Sequence, residues 1–107
     1  MILYNVTINI DKDVHEDWLN WMRTIHIPAV MQTGCFLESK LSRIQGEEDG
    51  GITFSVMYLC PSETKYDEYT AMFAPSLQKE HLERYAGKFA AFRTILTVID
   101  QFESHVG

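Results

Sequence analysis

A chain of 107 residues, 46% of them apolar, has room for one domain and little core to spare. Fifteen acidic residues against nine basic leave a formal net charge of −6, which argues against partners made of nucleic acid, whose backbone calls for clustered Lys and Arg. No apolar run approaches the roughly 20 residues of a membrane helix. The start MILYNVTINI has neither the basic opening nor the cleavage site of a secretory signal, so a cytoplasmic protein with no membrane partner is expected.

Ile2, Tyr4, Val6, Ile8 and Ile10 alternate with Leu3, Asn5, Thr7 and Asn9, the period of a strand with one apolar face. Asp13 and Glu16 resemble a capping box and start a helix near Val14. Its apolar stripe is Val14, Trp18, Met22, Ile25 and Ala29. Pro28 lacks the N–H that would bond the carbonyl of Thr24, which predicts a kink around His26 and Ile27. Gly34 supplies a left-handed stop. A second strand runs from about Phe36 to Ile44, with Leu37 and Leu41 competing against Phe36 and Ile44 for the inner side, an ambiguity that suits an edge. The stretch GEEDGG, 46–51, is a hairpin loop.

The third strand, Ile52 to Leu59, sets Ile52, Phe54, Val56 and Tyr58 against Thr53, Ser55, Met57 and Leu59. Pro61 and Ser62 open a helix with Tyr66, Tyr69 and Phe73 at spacings of three and four. Pro75 restarts it, Leu77, Leu82 and Tyr85 continue its apolar side, and Gly87 closes it. The last strand, about Phe92 to Ile99, places Phe92, Leu96 and Val98 opposite Arg93, Ile95 and Ile99. Residues 101–107 form a tail without a clear signal.

The order β-α-β-β-α-β with a tight central hairpin predicts an α+β, ferredoxin-like fold: one domain over 1–107, with two helical regions on one face of an antiparallel four-stranded sheet. The other face carries Leu3, Met57, Leu59, Ile95 and Ile99 beside Asn5, Thr7, Asn9, Thr53 and Ser55. It is too apolar for open water and too polar for a plain core. A second copy would cover it, giving a homodimeric α/β barrel with a semi-polar cavity between the sheets.

The segments Trp18-Leu19-Asn20-Trp21-Met22, His26-Ile27-Pro28 and Thr33-Gly34-Cys35-Phe36 resemble a small bacterial domain-of-unknown-function family of the dimeric α/β-barrel superfamily. Tyr4-Asn5-Val6-Thr7, Ala74-Pro75 with Leu77, Lys88-Phe89 and Phe92-Arg93 extend the likeness over nearly all the chain. The resemblance implies fold and dimerisation, and no established activity. A histidine near the end of the first helix is similar, at the level of fold analogy, to barrel relatives that act on small molecules without metal, such as sugar mutarotases and ethyl-tert-butyl-ether-degradation-type proteins.

His26 is the candidate acid–base residue. It lies about 80° from Trp18 on a helical wheel, at the margin of the buried stripe. A neutral imidazole there can take or give a proton; the competing reading is a helix-end histidine bonding the carbonyl freed by Pro28. His15 lies roughly 16 Å away along the axis, so the two cannot share a metal. Glu80-His81 lacks the second histidine of a zinc-protease motif, and His105 is in the tail. Cys35 and Cys60 are isolated, half-buried, reduced thiols, and no metal or other cofactor is expected.

Arg93 must find a carboxylate, a carbonyl or a ligand, and is either an ion-pair partner or an anion anchor. Asn5, Thr7 and Ser55 are the neutral cavity liners, and Trp18 and Trp21 read as core and interface aromatics. An RNA-recognition platform would need Tyr4, Phe54 and Tyr58 on the open face and basic residues the chain lacks. The expected function is small-molecule binding in a cavity between sheet and helices, with cofactor-free acid–base chemistry at His26 as its enzymatic form. The alternative is a non-catalytic structural or regulatory dimer.

Overall fold

The computed structural model describes residues 1–46 and 50–105, so Glu47, Glu48 and Asp49 of the expected hairpin loop lie outside the described residues. Four antiparallel strands, β1 (Ile2–Asp11), β2 (Glu38–Arg43), β3 (Gly51–Cys60) and β4 (Phe89–Thr97), form one sheet in the order β2-β3-β1-β4. The two strands with strict alternation, β1 and β3, take the centre, where one face must be wholly apolar. Ile2, Tyr4, Ile8, Ile10, Ile52, Phe54, Val56 and Tyr58 are all buried beneath the helices. β2, whose pattern was ambiguous, is an edge, and only Ser39 and Leu41 of its side chains are half-buried. The sheet stays open within one chain, as a four-stranded ferredoxin-like α+β fold.

One strand faces the opposite way from the sequence expectation. β4 starts at Phe89, and its register sets Arg93 opposite Val6 and Phe92 opposite Thr7. Paired residues share a face, so Arg93 and Ile95 point toward the helices while Phe92 and Leu96 stand on the open side. The reason is Phe89, whose ring meets His81 edge-on at 4.4 Å and fixes the odd residues inward. Phe92 is left 63% exposed and Leu96 47% exposed.

The connection after β1 is a 3₁₀ turn (Lys12–Val14) and then α1 (His15–Trp21). No side chain caps this start; Asp13 lies within the turn, so the expected capping box is absent. A π turn (Met22–His26) joins α1 to α2 (Ile27–Gln32), closed by the Ile27 N–H donating to the Met22 carbonyl five residues back. Pro28, which has no N–H to continue the α ladder, follows directly. The extra residue of the wide turn advances the buried stripe by one position. Trp18, Trp21 and Met22 are buried, Ile25 is 54% exposed, and Val30 is fully buried.

The second helical region is α3 (Glu63–Met72), whose N-cap Ser62 accepts from the Lys65 N–H, and α4 (Ala74–Arg84), restarted at Pro75. The buried side of α4 is Ala74, His81 and the following Tyr85, with Leu77 half-buried; Leu82 is 56% exposed. Tyr85 donates its hydroxyl to Asp17 at 2.8 Å, tying α4 to α1. Cys35 and Cys60 are fully buried free thiols, deeper than their isolation suggested. No helix among the described residues is long and apolar enough to cross a membrane.

Candidate functional site

Between the inner face of the sheet and the two helical regions lies a cavity of about 250 Å³. Its floor is Tyr4, Val6, Ile8, Val56 and Tyr58 from the central strands, with Phe89, Ala91 and Arg93 from β4. Its roof is Met22 and His26 from the π turn, Tyr69 from α3, and Leu77, Gln78, His81 and Leu82 from α4.

The π turn is what brings His26 here. The imidazole stacks on Trp21 with ring centroids 4.9 Å apart and lies 5.8 Å from the ring of His81. Its Nδ1 is buried without a hydrogen-bond partner. Burial disfavours the charged form and lowers its pKa to about 4. A buried polar atom left unpaired in a folded domain calls for an explanation, and a binding or catalytic role is one of the few on offer.

His81 shares this end of the cavity. Trp18, fully buried, donates its indole N–H to His81 Nε2 at 2.9 Å. Indole is a donor only, so Nε2 must carry the lone pair and the neutral ring must carry its proton on Nδ1. Burial first, and then the nearby His26 and Arg93, lower the His81 pKa to about 4. At neutral pH the cavity therefore holds two uncharged imidazoles.

The other end is phenolic. Tyr4, Tyr58 and Tyr69 pack ring to ring, with Tyr4–Tyr58 at 5.8 Å and Tyr4–Tyr69 at 5.9 Å. Burial raises the pKa of Tyr58 and Tyr69 well above the usual phenol range, so both remain O–H donors. Arg93 lies between the two ends on β4, and its Nε–H donates to the Tyr4 hydroxyl at 3.0 Å. Its positive charge reaches Tyr66, Tyr69 and His81.

The residues singled out from sequence do not form one site. His26 and Arg93 line this cavity; Asn5, Thr7 and Ser55 stand on the opposite, open face of the sheet. There they make their own chain, with Ser55 Oγ donating to Asn5 Oδ1 at 2.5 Å and Asn5 Nδ2 donating to Thr7 Oγ1 at 3.2 Å. His15 is engaged elsewhere, its Nδ1 bonded to the Lys12 carbonyl at 2.7 Å. His81, Tyr58 and Tyr69 join the site although sequence reading assigned them no role. The signal for His81 was its spacing of four from Leu77 and from Tyr85. Among the described residues, no cluster of three or more His, Cys, Asp or Glu is placed to hold a metal.

The family model DUF4286, described as a domain of unknown function, matches residues 1–99. No curated protein matches the chain. In three dimensions it resembles a dimeric ferredoxin-like protein from an uncultured marine organism, with a TM-score of 0.73 at 13% identity over 97% of this chain and 100% of that one. It also resembles SnoaB, a cofactor-independent oxygenase from Streptomyces nogalater (TM-score 0.68, 7% identity, 96% and 98% covered). A third neighbour is MhuD with two manganese protoporphyrin IX bound per active site (TM-score 0.68, 15% identity, 97% and 100% covered). At these identities the likeness shows the shared fold.

Proposed function

The chain belongs to the DUF4286 family, and from that premise we propose that it binds a small organic molecule in the cavity between sheet and helices, with His26 as the group that takes up a proton. The observation that carries this reading is the buried, unpartnered Nδ1 of His26 at the cavity wall. The fitting chemistry is redox-neutral proton transfer: His26 accepts a proton from the bound molecule and returns it to another atom of the same molecule, so no electrons leave the pair. A negative charge developing beside the ring raises its basicity from the low value of the empty cavity. His81, with Nε2 held by Trp18, is left to donate.

The test is a pair of measurements. A library of small metabolites should contain members that raise the melting temperature of the parent by several degrees. His26→Asn should melt within about 2 °C of the parent, since the ring makes no hydrogen bond through Nδ1, and should lose those shifts. A variant that keeps them removes His26 from the site.

We infer further that the open sheet face meets a second copy of the chain. Phe92 and Leu96 stand exposed on it beside half-buried Leu3 and Met57, around the Ser55–Asn5–Thr7 chain. This supports a homodimer, as does the dimeric state named for one structural neighbour. Asp in place of Met57, opposite Asn5 in the middle of the face, would bury an unpaired charge in each copy. Light scattering of Met57→Asp should report the single-chain mass at concentrations where the parent reports twice that, a weakening of at least about 100-fold. A monomeric parent would overturn the dimer.

A further inference from the structure

Resting on the reading that this cavity binds a ligand, we infer that the ligand class is a single-ring organic monoacid, with its oxyanion held by Arg93 and its ring body between the phenolic and imidazole walls. The charge follows from the lining. Among the described residues, Arg93 is the one formally charged side chain that borders the cavity, and no Asp or Glu stands on its wall although the chain carries a net −6. The guanidinium spends Nε on the Tyr4 hydroxyl, and no ion pair joins it to a carboxylate among the described residues. Its two terminal nitrogens, on an exposed edge strand, are left with the fork geometry that takes a carboxylate or phenolate. Tyr58 and Tyr69, kept protonated by burial, add O–H donors on the same side. A cation would meet like charge there. A diacid would place its second negative group away from the guanidinium, where no further cation among the described residues lines the wall to balance a buried charge.

The size follows from the volume. A cavity of roughly 150 Å³ suffices for benzene, so 250 Å³ holds a guest of about ten non-hydrogen atoms, one ring with an acid group and a small substituent. The shape follows from the walls. Arg93 pairs with Val6, two residues from Tyr4 and two from Ile8 along β1, a spacing of roughly 7 Å either way. A ring extending from the guanidinium thus meets Tyr4 and Tyr58 on one side and His81 and Phe89 on the other.

The experiment uses the full chain and four probes at pH 7: benzoate, 4-hydroxybenzoate, the neutral isostere benzamide, and the dianion terephthalate, each by calorimetry and thermal shift. Benzoate or 4-hydroxybenzoate should bind at least about tenfold more tightly than benzamide and terephthalate. Arg93→Leu should abolish that preference, costing benzoate far more affinity than benzamide, and Arg93→Lys should keep part of it. Equal binding of benzamide and benzoate, or a preference that survives Arg93→Leu, would overturn the acid class and leave the cavity as a binding site. If none of the four binds and no metabolite shifts the parent's melting temperature either, the binding reading itself fails and this inference goes with it.

Discussion

Trp18→Ala is expected to leave a chain that does not stay folded at 37 °C. The indole is fully buried, packs on Phe54 at 4.9 Å between ring centroids, and donates to His81. Truncating a buried Trp to Ala costs about 3–5 kcal/mol in lost burial and residual cavity. The stranded His81 acceptor adds to that, in a domain whose whole stability is about 5–15 kcal/mol. Trp18→Phe narrows the difference to the hydrogen bond and a smaller loss of volume, because the phenyl ring keeps much of the packing while the N–H is lost. Its expected cost is about 1–3 kcal/mol, the penalty for a buried acceptor without a donor. Urea unfolding of both variants at pH 7.5 measures this. A Trp18→Ala midpoint close to that of the parent would mean that the α1–α4 contact contributes little to the fold.

Acid should destabilise the protein from pH 6.5 downward, before most of its carboxylates are titrated, because two imidazoles refuse protons that the unfolded chain accepts. His26 and His81 both have folded pKa values of about 4, pushed below the ordinary histidine value of 6.5 by burial. Above pH 6.5 both rings are neutral folded or unfolded, and the stability is fully present. Below it the unfolded state binds more protons, so stability falls by about 1.4 kcal/mol per pH unit for each histidine until roughly pH 4. Across that window the loss approaches about 3 kcal/mol per ring. Urea midpoints taken between pH 7.5 and 4.5 should trace this decline. His26→Asn should halve the slope, and adding His81→Gln, whose amide oxygen can still accept from Trp18, should flatten most of the rest. A flat profile in the parent would show that water reaches these rings freely.

The fold was legible where burial is one-sided. β1 and β3 sit in the middle of the sheet, so their period of two marks the inner face without ambiguity. It was illegible in β4 for the reason that makes its open face noteworthy: Phe92 and Leu96 on one side are as apolar as Phe89, Ala91 and Ile95 on the other. Periodicity cannot orient a strand that is hydrophobic on both faces. The site was half legible. His26 stood out because Pro28 disrupts the ladder beside it, and Arg93 because its strand neighbours are apolar. His81 did not, since its role depends on a donor from Trp18, 63 residues away. Asn5, Thr7 and Ser55 lie on the open face where the alternation of β1 and β3 put them; it was Arg93 that was set beside them, a consequence of the inverted strand.

The π turn has a bearing on how this segment tolerates change. Helix before Met22 and helix after His26 follow the same 3.6-residue beat but start counting from different residues, so the segment carries two phases with a one-residue seam. Ile25, apolar and in step with Trp18 on an unbroken helix, falls on the seam's outer side and is surplus to the core. Polar residues are therefore admissible there, while His26 next to it, polar and out of step, occupies the inward slot. At these two neighbouring positions hydrophobicity and burial run opposite to each other.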